Sequence, residues 1–388
     1  MVVSFLETLC MCDAEVLVAA IERIETIPLR VPLEHIYKGS YYKMRNRCTI
    51  ITRIHTSDGI VGQSYNADTD EEQGEVLAII HGEIANLVNG LDACCPERVW
   101  HAMLPVTLDQ LRDRAIPMQA IACVDSAVWD CFGKAAQMPL WQVWGGYRDR
   151  IHVIAIGGYY GSSEADLERE LAFFSGEHGL VGMKFKIGAR PPIEDAARLR
   201  HAKSLVPDDF LFIVDANQGY TVPEALEFLS LIEGHVPLRW FEEPTRWHED
   251  WRGLRDVRFR GRVNVAAGQS EISRVGMREM MLNGAIDVCN FDASWGGGPT
   301  EWRRVAALAA SFGIELGHHE EAQVAAPLLA SVSNGTYAEV FSPNRDPIFW
   351  NILANRGAFE DGHLVLPKGP GFGWELDDDF IERYRVDT

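Results

Sequence analysis

From residue 151 onward, short apolar runs are separated by stretches whose apolar positions recur every three or four residues. The first pattern suits strands, whose side chains alternate between faces, and the second suits helices with one apolar stripe. Eight strands are predicted: "IHVIAIGGYY", "GMKFKIG", "FLFIVDANQ", "LRWFEEP", "VNVAAGQSE", "DVCNFDASW", "IELGHH" and "TYAEVFS". Amphipathic helices such as "PPIEDAARLRHAKSLV", "TVPEALEFLSLIEGH", "SRVGMREMMLNG" and "GPTEWRRVAALAASFG" lie between them. Strands alternating with helices pair in parallel, and eight of them predict a closed barrel. No G-x-G-x-x-G follows a strand, which argues against a doubly wound dinucleotide-binding sheet.

Upstream the pattern differs. Residues 15 to about 65 are rich in β-branched residues, with "TSDG" as a turn, and residues 70 to 146 read as helical. This predicts an α+β cap. The C-terminal stretch "LVLPKGPGFGWELDDDFIERYRVDT" lacks a further strand–helix unit and is expected to return to the cap.

A chain of 388 residues with 47% hydrophobic residues accommodates one large core and a second, smaller one. The net charge of −20 opposes nucleic acid and anionic membranes, and no apolar run approaches the roughly 18 residues of a membrane span. The eight cysteines show neither C-x-x-C nor knuckle spacing, which fits reduced thiols and a cytoplasmic location. The first twenty residues carry Glu7 and Asp13 and no basic n-region, so a secretory signal is not expected.

Each predicted strand ends in a polar residue that a core would not accept. From Lys186 through Asp215, Glu242, Gln269, Asp292 and His319 to Glu339 the gaps are 29, 27, 27, 23, 27 and 20 residues, about one strand–helix unit each. The regularity places them on one C-terminal rim, where barrel enzymes assemble their sites. Asp215, Glu242 and a third oxygen donor from the next strand form a hard-oxygen set suited to Mg²⁺. Such an ion would bind a substrate carboxylate and stabilise the enolate formed when the neighbouring proton leaves. In "GMKFKIG", Lys184 and Lys186 share a face opposite Met183, Phe185 and Ile187. Inside a barrel, burial and mutual repulsion would favour a neutral amine, and one lysine could then act as a base. His319 would reach the pocket from the other side, with Asp292 placed to accept its ring N–H. Asn217 and His318, also at strand ends, are candidate substrate contacts.

Together these motifs resemble the enolase superfamily, mandelate racemase subgroup: "KFKIG", "VDANQGY", "WFEEP", "FDASWGGG", "FGIELGHH" and "AEVF", with "CVDSAVWDCFGKAAQMPLWQVWGG" and "PKGPGFGWELD" outside the barrel. The resemblance covers about residues 20 to 385. It implies an α/β fold, a modified TIM barrel (β/α)7β over 149–354 with an α+β capping domain over 1–148, joined by the segment 355–388. It also implies Lys186 as one acid/base with Lys184 tuning it, Asp292 with His319 as the other, and Glu339 orienting the substrate carboxylate. Asp215, Glu242 and residue 269 would hold Mg²⁺. Here "AAGQSE" places Gln269 where the subgroup usually has Glu, and Glu271, two residues on, could replace it if the strand stays regular. The expected partner is a small-molecule carboxylate, bound by a homo-oligomer.

Family membership leaves the reaction open. Tyr37, Lys43, Arg45 and Arg47, near the expected substrate-capping loop, suit a polyol and favour dehydration of a sugar acid to a 2-keto-3-deoxy acid. A racemase or epimerase of a 2-hydroxy acid is the alternative, and a non-catalytic acid-binding barrel is a second. "HEEAQ" lacks the second histidine of a zinc-protease motif, and "GQSEI" lacks the second glycine of a nucleophile elbow.

Overall fold

The computed structural model describes residues 19–66, 70 and 73–386. The segment read for a secretory signal lies almost wholly outside the described residues, as do Cys10 and Cys12. Strands β1 (Ile21–Lys38), β2 (Lys43–Thr56) and β3 (Val61–Asn66) form an antiparallel meander. The turn after Thr56 closes through its hydroxyl, which donates to Ile60 O at 2.8 Å, and Gly59 supplies the positive φ. The helix Ala115–Ala135 packs on β2 and β3, and it is buried along nearly its whole length. Two of its carboxylates reach other parts of the chain. Asp125 accepts from Thr300 N and Oγ1 at 2.9 and 2.7 Å, and Asp130 accepts from Gln63 N and Phe372 N at 2.8 and 2.7 Å.

The large sheet is parallel-rich. Strands β4 (Arg150–Gly157), β5 (Gly182–Lys186), β6 (Leu211–Asp215), β7 (Leu238–Glu242), β8 (Val265–Ala267), β9 (Val288–Cys289) and β10 (Glu315–Leu316) pair in sequence order, and β11 (Tyr337–Val340) pairs in parallel with β4. Beside β11, Leu316 N donates to Asn334 O and Thr336 N donates to Leu316 O, both at 2.8 Å. Helices follow the strands as their periodicity predicts. One runs Val222–Ile232 behind a capping box of Thr221 and Glu224, another Arg274–Leu282 behind Ser273. Met183, Phe185 and Ile187 join the main core with the helices, while Ile154, Ile213, Trp240, Ala266 and Val288 form a separate buried cluster.

The tail differs from the expectation that it returns whole to the cap. Strands β12 (Phe359–Glu360) and β13 (His363–Val365) form a hairpin whose second strand runs antiparallel on β4. Its two-residue loop is Asp361-Gly362 with φ of 48° and 72°, the conformation that an Asp-Gly pair accommodates. From Gly371 onward the tail does meet the cap: Gly371 O accepts from Leu140 N at 2.8 Å, Trp374 O accepts from Gln63 Nε2 at 3.2 Å, and the helix Asp378–Tyr384 packs on β1. No helix among the described residues is long and apolar enough to cross a membrane, and Cys94, Cys95, Cys123, Cys131 and Cys289 are free.

Candidate active site

Strand alternation turns Lys184 and Lys186 away from the helices, where both are buried. Lys184 Nζ lies 2.6 Å from Glu339 Oε1, 2.8 Å from Glu242 Oε1 and 3.9 Å from Asp215 Oδ2. Lys186 Nζ donates to Asp215 Oδ2 at 2.7 Å and to Asn217 Oδ1 at 3.2 Å. The expectation of a neutral amine is therefore corrected. Burial pulls both lysines down, but the carboxylates opposite outweigh it and hold them above the usual lysine range. Asn217, at φ 44°, donates its backbone and side-chain N–H groups to Asp215, so it positions Asp215 and Lys186.

Asp215 and Glu242 are register neighbours on β6 and β7. Glu242 also accepts from Trp240 Nε1 at 3.2 Å and Asn290 Nδ2 at 2.9 Å. Burial, with Asp215 and Glu339 close by, pushes its carboxyl up to about 7 despite Lys184. The lysines thus leave the cluster short of positive charge. Past the end of β8, Gln269 is 9% exposed and its Oε1 has no hydrogen-bond partner among the described residues. A buried carbonyl oxygen without a donor costs about 1–3 kcal/mol, which a cation would relieve. Asp215, Glu242 and Gln269 are hard-oxygen donors that fit Mg²⁺. Among the described residues no three His, Cys, Asp or Glu side chains are arranged to hold a metal.

Glu271 does not join them. Strand geometry stops at Ala267, and Gly268 turns with φ 140°, so alternation fails two residues later. The Glu271 carboxylate lies against Gly276 on the following helix and lines a different cavity with Trp247, Asp250 and Trp251.

Past the end of β10, His319 Nδ1 meets Asp292 Oδ2 at 2.9 Å, and the imidazole packs 4.8 Å from the Trp295 ring. Asp292 Oδ1 accepts from Ser294 N at 2.7 Å, which fixes the carboxylate. His319 Nε2 faces Glu320 Oε1 at 3.4 Å. Burial lowers the imidazole, but Glu320 and Asp292 together raise it well above the usual histidine range. His318 is a fastener instead of the expected substrate contact: Nε2 accepts from Ala293 N at 3.0 Å, and Nδ1 lies 2.9 Å from His319 O. Glu339 Oε2 accepts from Glu320 N at 2.9 Å, tying the last strand to this loop.

The cap supplies one wall. Tyr37 packs edge-on against Tyr159 at 5.2 Å, and Lys186 Nζ lies 5.8 and 6.0 Å from the rings of Tyr42 and Tyr159. The buried Tyr159 hydroxyl has no partner among the described residues. Ser40 Oγ reaches Ile187 O and Ala216 O at 2.8 and 2.6 Å, which pins the β1–β2 turn to the rim. Lys43 lines an open cavity of about 510 Å³ together with Tyr41, Tyr42 and Arg190, and Arg45 is exposed on β2. Arg47 is buried between Glu320, Glu321 and Asp346, each at 3.1 Å. Glu320, Tyr42, Tyr159 and Arg345 were not singled out by the sequence patterns. Glu320 sits inside "HEEAQ", where its neighbour His319 was the only marker.

Residues 166–380 match the model of the enolase C-terminal domain-like family, and residues 23–145 match that of the mandelate racemase/muconate lactonizing enzyme N-terminal domain. The chain belongs to this family, the mandelate racemase branch of the enolase superfamily. It is 31% identical over 348 residues to arabinonate dehydratase of Saccharolobus solfataricus, covering 87% of this chain and 90% of that one. To 3,6-anhydro-alpha-L-galactonate cycloisomerase of Streptomyces coelicolor it is 29% identical, with 94% and 99% covered. A mandelate racemase/muconate lactonizing enzyme from a marine actinobacterium, solved in complex with magnesium, superposes with a TM-score of 0.89 at 48% identity, covering 95% and 100%. The curated relatives are thus a lyase and an isomerase.

Proposed function

We propose that strands β4 to β11 close into a (β/α)7β barrel through the bonds of Leu316 beside β11, and that the chain is a Mg²⁺-dependent dehydratase of a sugar acid. What supports this reading is that Lys186, the last residue of β5, and the Asp292–His319 pair, past the ends of β9 and β10, are proton-handling groups at the C-terminal ends of strands in one parallel-rich sheet. When bound, Mg²⁺ supplies Lewis-acid stabilisation of the enolate oxygens, with Asp215, Glu242 and Gln269 as the residues to hold it.

The chain's own groups divide the remaining work. Lys184, fixed between Glu242 and Glu339, keeps a cation facing the substrate carboxylate. Lys186 first has to give up the proton that Asp215 stabilises; once Asp215 is engaged elsewhere, burial favours the neutral amine and the proton leaves to solvent. The free Nζ then takes the α-proton while the C–H electron pair becomes the enolate. His319 Nε2 gives its proton to the β-hydroxyl as the C–O bond breaks, and water leaves. The resulting enol tautomerises to a 2-keto-3-deoxy acid. Tyr37, Tyr42 and Tyr159 close the pocket on the cap side and suit a polyol. The similarity to arabinonate dehydratase supports the substrate class.

The test is a panel of mono- and diacid sugars with Mg²⁺, read by formation of 2-keto acids. Turnover of at least one member, abolished by chelation and restored by Mg²⁺, is expected. Stereochemical inversion without keto product would replace dehydration by racemisation, and full activity in metal-free protein would remove the ion from the reading.

A further inference from the structure

His319 lies between two carboxylates, and only Asp292 belongs to the motifs that define the site. Asp292 meets Nδ1 at 2.9 Å, which leaves Nε2 as the nitrogen that faces substrate. Glu320 Oε1 stands 3.4 Å from that nitrogen. The backbone goes to some cost to aim it. Glu320 and Glu321 are consecutive non-glycine residues with φ of 48°, a left-handed conformation that side chains disfavour. Two further contacts fix the turn: Glu320 N donates to Glu339, and Glu320 Oε2 accepts from Arg47 Nη1 of the cap at 3.1 Å.

We propose, building on the dehydratase reading, that Glu320 is a positioning residue that holds His319 in its acid form before substrate arrives, so that His319 donates a proton before it can accept one. An imidazole charged in advance cannot start the reaction as a base from its face, which favours elimination over racemisation at this site. The surroundings are mixed in sign. Asp292 and Glu320 face His319 with negative charge, and Glu243, whose carboxyl burial pushes up to about 7, lies within electrostatic reach of it, whereas Arg47 and Arg345 lie beyond Glu320, with Arg345 Nη2 3.8 Å from its Oε1. Those arginines, with His319 itself, keep Glu320 well below the usual carboxylate range against its burial, so its charge is available to the imidazole. The neutral Trp295 ring adds no opposing charge. Through Arg47 the cap is coupled to the acid group by a single intervening side chain.

The test follows the His319 imidazole by ¹⁵N NMR in histidine-labelled protein with Mg²⁺ present, its signals assigned among the 12 histidines by their loss in His319→Asn. In the parent, the imidazolium pattern should persist above the ordinary histidine range. Glu320→Gln should lower the midpoint by about 1–3 pH units, and the basic limb of kcat/KM should move down with it. Glu320→Asp, which withdraws the carboxylate by one methylene, should give a smaller shift and decides the matter if the Gln variant fails to fold. An unchanged His319 midpoint in the folded variants overturns the proposal. A shifted midpoint in a protein that dehydrates no sugar acid leaves the role of Glu320 standing and removes the dehydratase reading instead.

Discussion

Gln269→Leu should change stability in opposite directions depending on the metal. Without Mg²⁺, the parent buries the Gln269 Oε1 with no donor among the described residues, at about 1–3 kcal/mol. Leucine is close in volume and carries no polar atom, so the metal-free variant should be the more stable by up to that amount. At about 2.1 cal/mol/K per residue, 388 residues have an unfolding entropy of about 0.8 kcal/mol/K, so 2 kcal/mol corresponds to a rise in Tm of about 2–3 °C. With Mg²⁺ the order should narrow or reverse. An ion at a hundred times its Kd stabilises the parent by about 2.7 kcal/mol, and a tenfold weaker site loses about 1.4 kcal/mol of that. The assay is thermal unfolding of both proteins across an Mg²⁺ titration, starting from chelated protein. A leucine variant that melts lower in chelator, or that gains as much from Mg²⁺ as the parent, would refute the assignment of the amide as a ligand.

Lys186→Met should abolish both turnover and exchange of the α-hydrogen with deuterated solvent, whereas His319→Asn should lose about 10²–10⁴ in dehydration while exchange persists; the reverse pattern in a mass-spectrometric exchange assay would swap the two roles. Asp292→Asn should reduce kcat less than His319→Asn, because it disturbs the orientation of the imidazole without removing it; an equal or larger loss in steady-state kinetics would contradict this. Asp125 makes a pH prediction. Burial raises its carboxyl to about 7 from 3.8 even though Thr300 donates to it twice, so the folded chain retains a proton that the unfolded chain releases between those values. Its contribution to stability therefore falls as pH rises through that window, and Asp125→Asn should flatten the difference between denaturant midpoints at pH 5 and pH 8. A variant with the same pH slope as the parent would show that Asp125 does not set it.

The strand-end residues were legible because the chain spaces them by one strand–helix unit, and that spacing survives folding. What failed lies past the strand ends. Alternation predicted that Glu271 would point with Gln269, but β8 ends at Ala267 and Gly268 redirects the chain. The charge state of the lysines was misjudged for another reason: Glu242 and Glu339 come from strands 58 and 155 residues away from Lys184, a proximity that no local pattern encodes. Glu320 escaped notice because its direction depends on two left-handed residues in a row. The hairpin on β4 was readable. Asp361-Gly362 is a strong two-residue turn signal, and it was passed over because the segment was assigned to the cap as a whole.

The helix Ala115–Ala135 has a consequence for how such an enzyme can diversify. Asp125 is spent on the backbone and hydroxyl of Thr300, and Asp130 on Gln63 and Phe372, so one helix is stitched to the meander, to the helix Gly298–Ser311 and to the tail. A cap grafted from a relative would have to match all of these at once, and exchange of the cap as a module is therefore a poor evolutionary route. The β1–β2 turn is different. It is held to the rim chiefly by the Ser40 hydroxyl and by Tyr160 N donating to Lys38 O at 3.1 Å, and its tip residues Tyr41 and Lys43 are exposed. A handful of substitutions there can reshape the mouth of the pocket at little cost to the fold, so lineages that diverge in substrate should differ first in this turn.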